Sequence, residues 1–208
     1  MSGADRLRVA LSETIQTIYQ RGWAPGTGGN FSAVLTAEPL TLLMTPSSAD
    51  KGRIQPTDLV VVNEQGQVVE GNDRASAETL LHLTLVQVAG ARAVLHTHSV
   101  FNTLLSERYT DQGGIAIAGY EMLKGLEGIR THDTTVYLPI VPNSQDMQVL
   151  SDQVRSRLNA QKKTVAYGLL IAGHGLYAWG DSLFQAKRHL EVWEFLLELT
   201  YRKLALSH

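Results

Sequence analysis

The chain has 208 residues, with 18 lysines and arginines against 20 aspartates and glutamates and no cysteine. That length suits one medium domain with a core of its own. A net charge of −2 without basic clusters argues against a nucleic-acid footprint, and the lack of thiols excludes disulfides and leaves any metal to nitrogen and oxygen ligands.

Leu7, Ala10, Leu11, Thr14, Ile15 and Ile18 recur at helical spacing and predict an amphipathic helix over 4–21, stopped at Gly22. Its polar start, with Asp5 and Glu13, has no signal-peptide core, and no apolar run reaches the ~20 residues of a membrane span. The expected address is the cytoplasm. A glycine-rich loop, APGTGGN, follows at 24–30. FSAVL, LTLLMT and DLVVVN predict three strands, with EQGQ as a turn after the third. Ser76 is placed to cap a helix that begins at Ala77, and ARAVLHTH at 91–98 predicts a buried strand.

GIAIAG and TTVYLPIVP predict two more strands, and Ser144 a cap for a helix carrying Met147, Leu150, Val154 and Leu158. TVAYGLLIAG at 164–173 and LYAWG at 176–180 read as strands around a tight Gly173-His174-Gly175 turn. Ser182 and Gln185 match a capping box, and Leu183, Ala186, Leu190, Trp193, Leu197, Tyr201 and Leu204 then mark a final helix by their three-four spacing. The alternation of helices with groups of strands predicts a single three-layer α/β/α domain over 1–208 with a mixed, largely antiparallel central sheet.

His96 and His98 stand two apart in a strand, so their rings point to one face. Neutral imidazoles are good zinc ligands, and two leave a site incomplete. His174, between two glycines at a strand turn, is the best third candidate. Three histidines leave coordination positions open, the pattern of a catalytic rather than a structural ion. Histidine ligands also suit iron, nickel or cobalt. His82, four residues after Glu78, shares its helix face and fits an outer or packing role better than ligation.

GTGGNFS at 26–32, MTPSSADKGRI at 44–54, SAETLLH at 76–82, AVLHTH at 93–98 and GHGLYAWG at 173–180 occur in the order found in the class II sugar-phosphate aldolase family, and the chain resembles that family over nearly its whole length. Within it, GYEMLKG at 119–125 and KGRIQPTDLV at 51–60 resemble the branch that dehydrates a methylthio-substituted ketose phosphate in methionine salvage. The resemblance implies one zinc ion per subunit on His96, His98 and His174, a small-molecule sugar-phosphate substrate, and a fourfold-symmetric homotetramer with sites near subunit interfaces. Aldol cleavage and ribulose-phosphate 4-epimerisation on the same fold are the neighbouring alternatives. A non-catalytic interaction protein that keeps the fold is a third.

Glycine-rich backbone presents N–H groups to an anion. Asn30, Ser47, Ser48 and Ser76 add neutral donors and Lys51 adds charge. By resemblance, the loops around Gly29-Asn30, Ser47-Ser48 and Ser76 grip the phosphate. The chain departs from the family pattern at Ser48, where aldolases usually have glycine, and at Ala77, where many have a second serine. Two carboxylates compete for the proton chemistry. An acidic residue at the start of a helix complements the helix dipole, but by resemblance Glu78 holds the zinc-proximal acid/base position. Glu121 matches the dehydratase acid/base, and the main proton transfers are expected there.

Overall fold

The computed structural model describes residues 2–160 and 167–206. Helix α1 (Gly3–Gln20) opens on a reciprocal cap, in which Asp5 N donates to Ser2 Oγ at 3.1 Å and Ser2 N to Asp5 Oδ2 at 2.8 Å. It buries Leu11, Ile15 and Ile18 and gives way at Gly22, whose φ of +76° is left-handed.

Strands β1 (Asn30–Ala37), β2 (Leu40–Met44), β3 (Val60–Asn63) and β4 (Val68–Glu70) form a meander. Helix α2 (Thr79–Ala89) leads into β5 (Ala93–Thr97), which is followed by helix α3 (Val100–Arg108). Next come β6 (Gly114–Ile117), β7 (Val136–Val141), helix α4 (Met147–Ala160), β8 (Gly168–Ile171), β9 (Gly175–Gly180) and helix α5 (Leu183–Leu206). The strands described form one sheet of nine in the order β4-β3-β2-β1-β5-β9-β8-β7-β6. Among the described residues, only the β7–β8 pair is parallel. The expected α/β/α fold with a mixed, largely antiparallel sheet is the one observed.

Alternation along the strands sorts the core into two faces. Ala93 and Leu95 of β5 pack with Leu11 and Ile15 of α1 and Leu190, Trp193 and Leu197 of α5. Val94 faces the other way, with Leu81 and Leu85 of α2, Leu150 and Val154 of α4, and Trp179 of β9.

Several local expectations need correction. Helix α2 begins at Thr79, and the Ser76 hydroxyl accepts from Glu78 N in a turn instead of capping the helix. Asp146, not Ser144, caps α4: its Oδ1 accepts from the N–H groups of Gln148 and Val149. At α5, Ser182 Oγ accepts from Gln185 N, but the Gln185 side chain reaches Asp181 N, so the box is half made. Strand β4 and helix α3 were not anticipated. The strand expected over 164–173 is β8, and its residues 164–166 lie outside those described. Tyr201 is exposed and rests against the Phe101 ring at 5.4 Å, away from the buried stripe.

Candidate active site

The β5–β9 ladder sets His96 directly opposite Tyr177, and their rings stack at 4.0 Å. His98 lies one residue past the end of β5. Its N–H donates to Trp23 O at 2.8 Å, which ties the strand exit to the start of the first loop. His174 occupies the β8–β9 turn. Gly173 takes φ +60° there, and a Cβ on Gly175 would lie 2.2 Å from Thr97 O and 2.9 Å from His96 Cε1. Glycine at 175 is therefore what lets the turn close over the β5 histidines. The ring centroids stand 4.5 Å (96–98), 5.0 Å (96–174) and 4.9 Å (98–174) apart. One ligand nitrogen from each ring lies within 4.8 Å of the others.

The donor set fits a metal ion. His96 Nδ1–H donates to Leu176 O at 3.0 Å, which fixes the tautomer and leaves Nε2 a lone pair. That Nε2 and His174 Nδ1 are buried and have no hydrogen-bond partner. Buried polar atoms without partners are rare, and a cation is what a bare imidazole nitrogen accommodates. Burial holds the pKa values of His96 and His98 below the ordinary histidine range, so both rings are in the neutral, ligating form.

Glu78 stands among the three rings. Its Oε1 is 3.1 Å from His174 Nε2, and its Oε2 is 3.4 Å from His96 Nε2. Asn30 Nδ2 at 2.7 Å and the Tyr177 hydroxyl at 2.5 Å both donate to Oε2. Burial alone would raise its pKa, but the hydrogen bond from His174, the nearby His96 and the bonds from Asn30 and Tyr177 outweigh it. The carboxyl is held well below the usual carboxylate range. Behind it runs a relay fixed by donor logic. With its NH2 turned to Glu78, Asn30 accepts at Oδ1 from His82 Nε2 at 2.5 Å, and His82 Nδ1 accepts from Ser32 Oγ at 2.7 Å. Full burial lowers the His82 pKa to about 4 and keeps the ring neutral. The spacing of Glu78 and His82 pointed to an outer role for this ring. Tyr177 carried no such signal, because it reads as one more apolar residue of LYAWG.

Three loops meet beside the triad. Ser47 N donates to Arg74 O at 2.8 Å, and a bridge between Pro46 and Ala75 brings Ser47 and Ser48 alongside Ser76. Lys51 Nζ donates to Thr27 O at 2.8 Å and Ala49 O at 3.1 Å, joining this loop to the glycine-rich one. Lys51 is 1% exposed, and burial lowers its pKa to about 8. Ser48 takes φ +60°, a conformation natural to glycine. Gly29, at φ +76°, packs so that a Cβ would lie 2.7 Å from His96 O. Asn30 departs from expectation. It is buried, and both ends of its amide serve Glu78 and His82, so it orients the carboxylate and is not a free anion donor.

Glu121 is not brought to the triad within one chain. It is exposed and pairs with Lys124 and with His132 Nδ1, the latter at 3.0 Å. β6 is the edge strand, four ladder steps from β5, or roughly 19 Å at about 4.8 Å per step. Ile117 ends β6 opposite Val136, whereas Val141, at the other end of β7, is level with Ile171 beside the His174 turn. The chain therefore leaves β6 toward Glu121 from the end of the sheet remote from the histidines.

The chain is similar to known proteins over most of its length. Residues 9–201 match the family described as Class II Aldolase and Adducin N-terminal domain. Methylthioribulose-1-phosphate dehydratase of Xanthomonas campestris pv. campestris (strain 8004) is 45% identical over 197 residues, covering 94% of this chain and 88% of that protein. The crystal structure of YgbL from Escherichia coli superposes with a TM-score of 0.81 at 25% identity, covering 96% of this chain and 90% of that one. The L-fuculose-1-phosphate aldolase of Thermus thermophilus superposes with a TM-score of 0.75 at 24% identity, covering 99% of each chain, and shows the likeness of fold.

Proposed function

We propose the following reaction for a chain that belongs to the class II aldolase and adducin N-terminal domain family: it dehydrates 5-methylthioribulose 1-phosphate to 2,3-diketo-5-methylthiopentyl 1-phosphate, a step of methionine salvage. The observation that carries this reading is the convergence of His96, His98 and His174 around the Glu78 carboxylate, in a chain whose relatives bear that activity's name.

The three histidines would hold a divalent ion, which we take to be zinc, one per subunit. When bound, it supplies the Lewis acidity that polarises the C2 carbonyl and eases removal of the C3 proton. Ser47, Ser48, Ser76, Lys51 and the backbone at Gly29 hold the phosphate. Glu78, clamped by fixed donors, stays ionised; such a carboxylate is suited to orienting hydroxyls beside the ion and poorly suited to cycling a proton near neutrality.

The main base is therefore Glu121, which requires a second copy of the chain to present it, as in a homotetramer with sites at subunit interfaces. Glu121 takes the proton from C3, and the electron pair moves toward the C2 carbonyl. The same carboxyl returns its proton to the C4 hydroxyl, which leaves as water while C3 and C4 form a double bond. Tautomerisation of that enol gives the diketone.

Incubating the purified protein with 5-methylthioribulose 1-phosphate tests the reading. One water should be lost per substrate with the five-carbon chain intact. Carbon–carbon cleavage or inversion at C4 would place the chain with the aldolases or epimerases instead. Folded, metal-loaded protein that turns over no sugar phosphate would favour the non-catalytic alternative.

A further inference from the structure

Glu194 lies on the buried face of α5, between Leu190 and Leu197, and is 2% exposed. A carboxylate at a core position of a helix is costly unless several donors meet it. Three do, and all come from the segment that carries His98. Thr97 Oγ1 donates to Oε1 at 2.7 Å, Asn102 Nδ2 to Oε1 at 3.0 Å, and Ser99 Oγ to Oε2 at 2.6 Å. Thr97 and Ser99 are the two neighbours of His98. Strand alternation puts the Thr97 side chain on the sheet face opposite His96, so Glu194 grips the strand exit from behind the triad.

The grip continues through α3. Ser99 caps this helix, its Oγ accepting from Asn102 N at 3.2 Å while donating to Glu194. One turn on, Thr103 Oγ1 donates to His174 O at 3.2 Å, and Ser106 Oγ accepts from Gly173 N at 3.1 Å. The helix anchored at its start by Glu194 therefore also holds the turn that carries His174.

We infer that Glu194 is a positioning residue for the metal site, fixing the backbone on both sides of His98 and, through α3, the distance of His174 from the β5 pair. It touches neither ion nor substrate. The inference rests on the metal-site reading above. Replacing a partner behind a ligand typically weakens metal binding by about 10–100-fold.

The test is chelator-competition affinity for zinc, together with the absorption spectrum of the cobalt(II)-substituted protein. Both are measured well below the melting temperature on the full chain, Glu194→Met, Glu194→Gln and His174→Ala. Glu194→Met fills the same volume without acceptors; folded, it should bind zinc about 10–100-fold more weakly and show an altered cobalt spectrum. Glu194→Gln, which keeps one acceptor oxygen, should fall between it and the unaltered chain. If Glu194→Met does not fold, Glu194→Gln alone decides, and a loss of about threefold or more supports the inference. Unaltered affinity and spectrum in the folded variants would overturn the positioning role while leaving the metal site intact. If the unaltered chain and His174→Ala bind metal equally poorly, the metal-site reading fails and takes this inference with it.

Discussion

At the scale of single residues, the site is organised around Glu78, a carboxylate that accepts from Asn30, Tyr177 and His174 and stands beside the bare Nε2 of His96. Its folded pKa lies below the ordinary value of 4.5. Its contribution to stability is therefore present above that pH and lost as the pH falls. Glu78→Gln removes the charge and turns an amide NH2 toward donors that had an acceptor. Turnover should drop by about 10²-fold or more, and the acid limb of the stability curve should flatten. Near-normal turnover in the folded variant would remove Glu78 from the reaction. His96, His98 and His174 were legible because imidazole is an unusual side chain to find two apart in an apolar strand or between two glycines. Tyr177 and Glu194 were not. Their partners Glu78 and Thr97 lie 99 and 97 residues away, and each occupies a position whose local pattern asks only for an apolar side chain.

At the scale of elements, the strand–turn–strand unit β8–β9 and the exit of β5 build the site together. Periodicity revealed most of the sheet and the terminal helix, because β1, β2, β5 and β9 alternate or run apolar between clear turns. It missed α3, whose buried face includes Asn102 and Ser106 alongside Leu105; a helix that buries polar groups to serve its neighbours has no apolar stripe to read. It placed the start of α2 two residues early, since Ser76 resembles a cap but forms a turn with Glu78 N. Glycine at 175 frees the turn and clears space beside the imidazole, as the sequence suggests, but its tightest constraint is tertiary: a Cβ there would lie 2.2 Å from Thr97 O. Gly175→Ala should cost about 1–3 kcal/mol by overpacking and weaken metal binding by pushing the His174 turn off β5. Thermal unfolding alongside a zinc titration checks both, and an unchanged affinity would mean that the turn is free to shift without moving His174.

At the scale of the whole molecule, the sheet order separates the two groups that the proposed reaction uses. The histidines sit at the centre of the nine strands, and Glu121 follows the outer strand β6. No pattern local to GYEMLKG could disclose this, because the distance arises only when β9, β8 and β7 are laid between β5 and β6. A composite site makes a strong prediction. His174→Ala chains and Glu121→Gln chains should each be inactive alone, yet after subunit exchange in equal amounts they should recover roughly a quarter of the unaltered activity, the fraction of interfaces that pair two intact halves. No recovery in verified mixed oligomers would mean that Glu121 does not act across an interface. The ion remains the centre of the account. Stepwise return of zinc to fully chelated protein, with dehydration of 5-methylthioribulose 1-phosphate measured at each addition, tests it most directly. Activity should climb from near zero in proportion to zinc and level off at one ion per chain, whereas full turnover before any zinc is returned would contradict it.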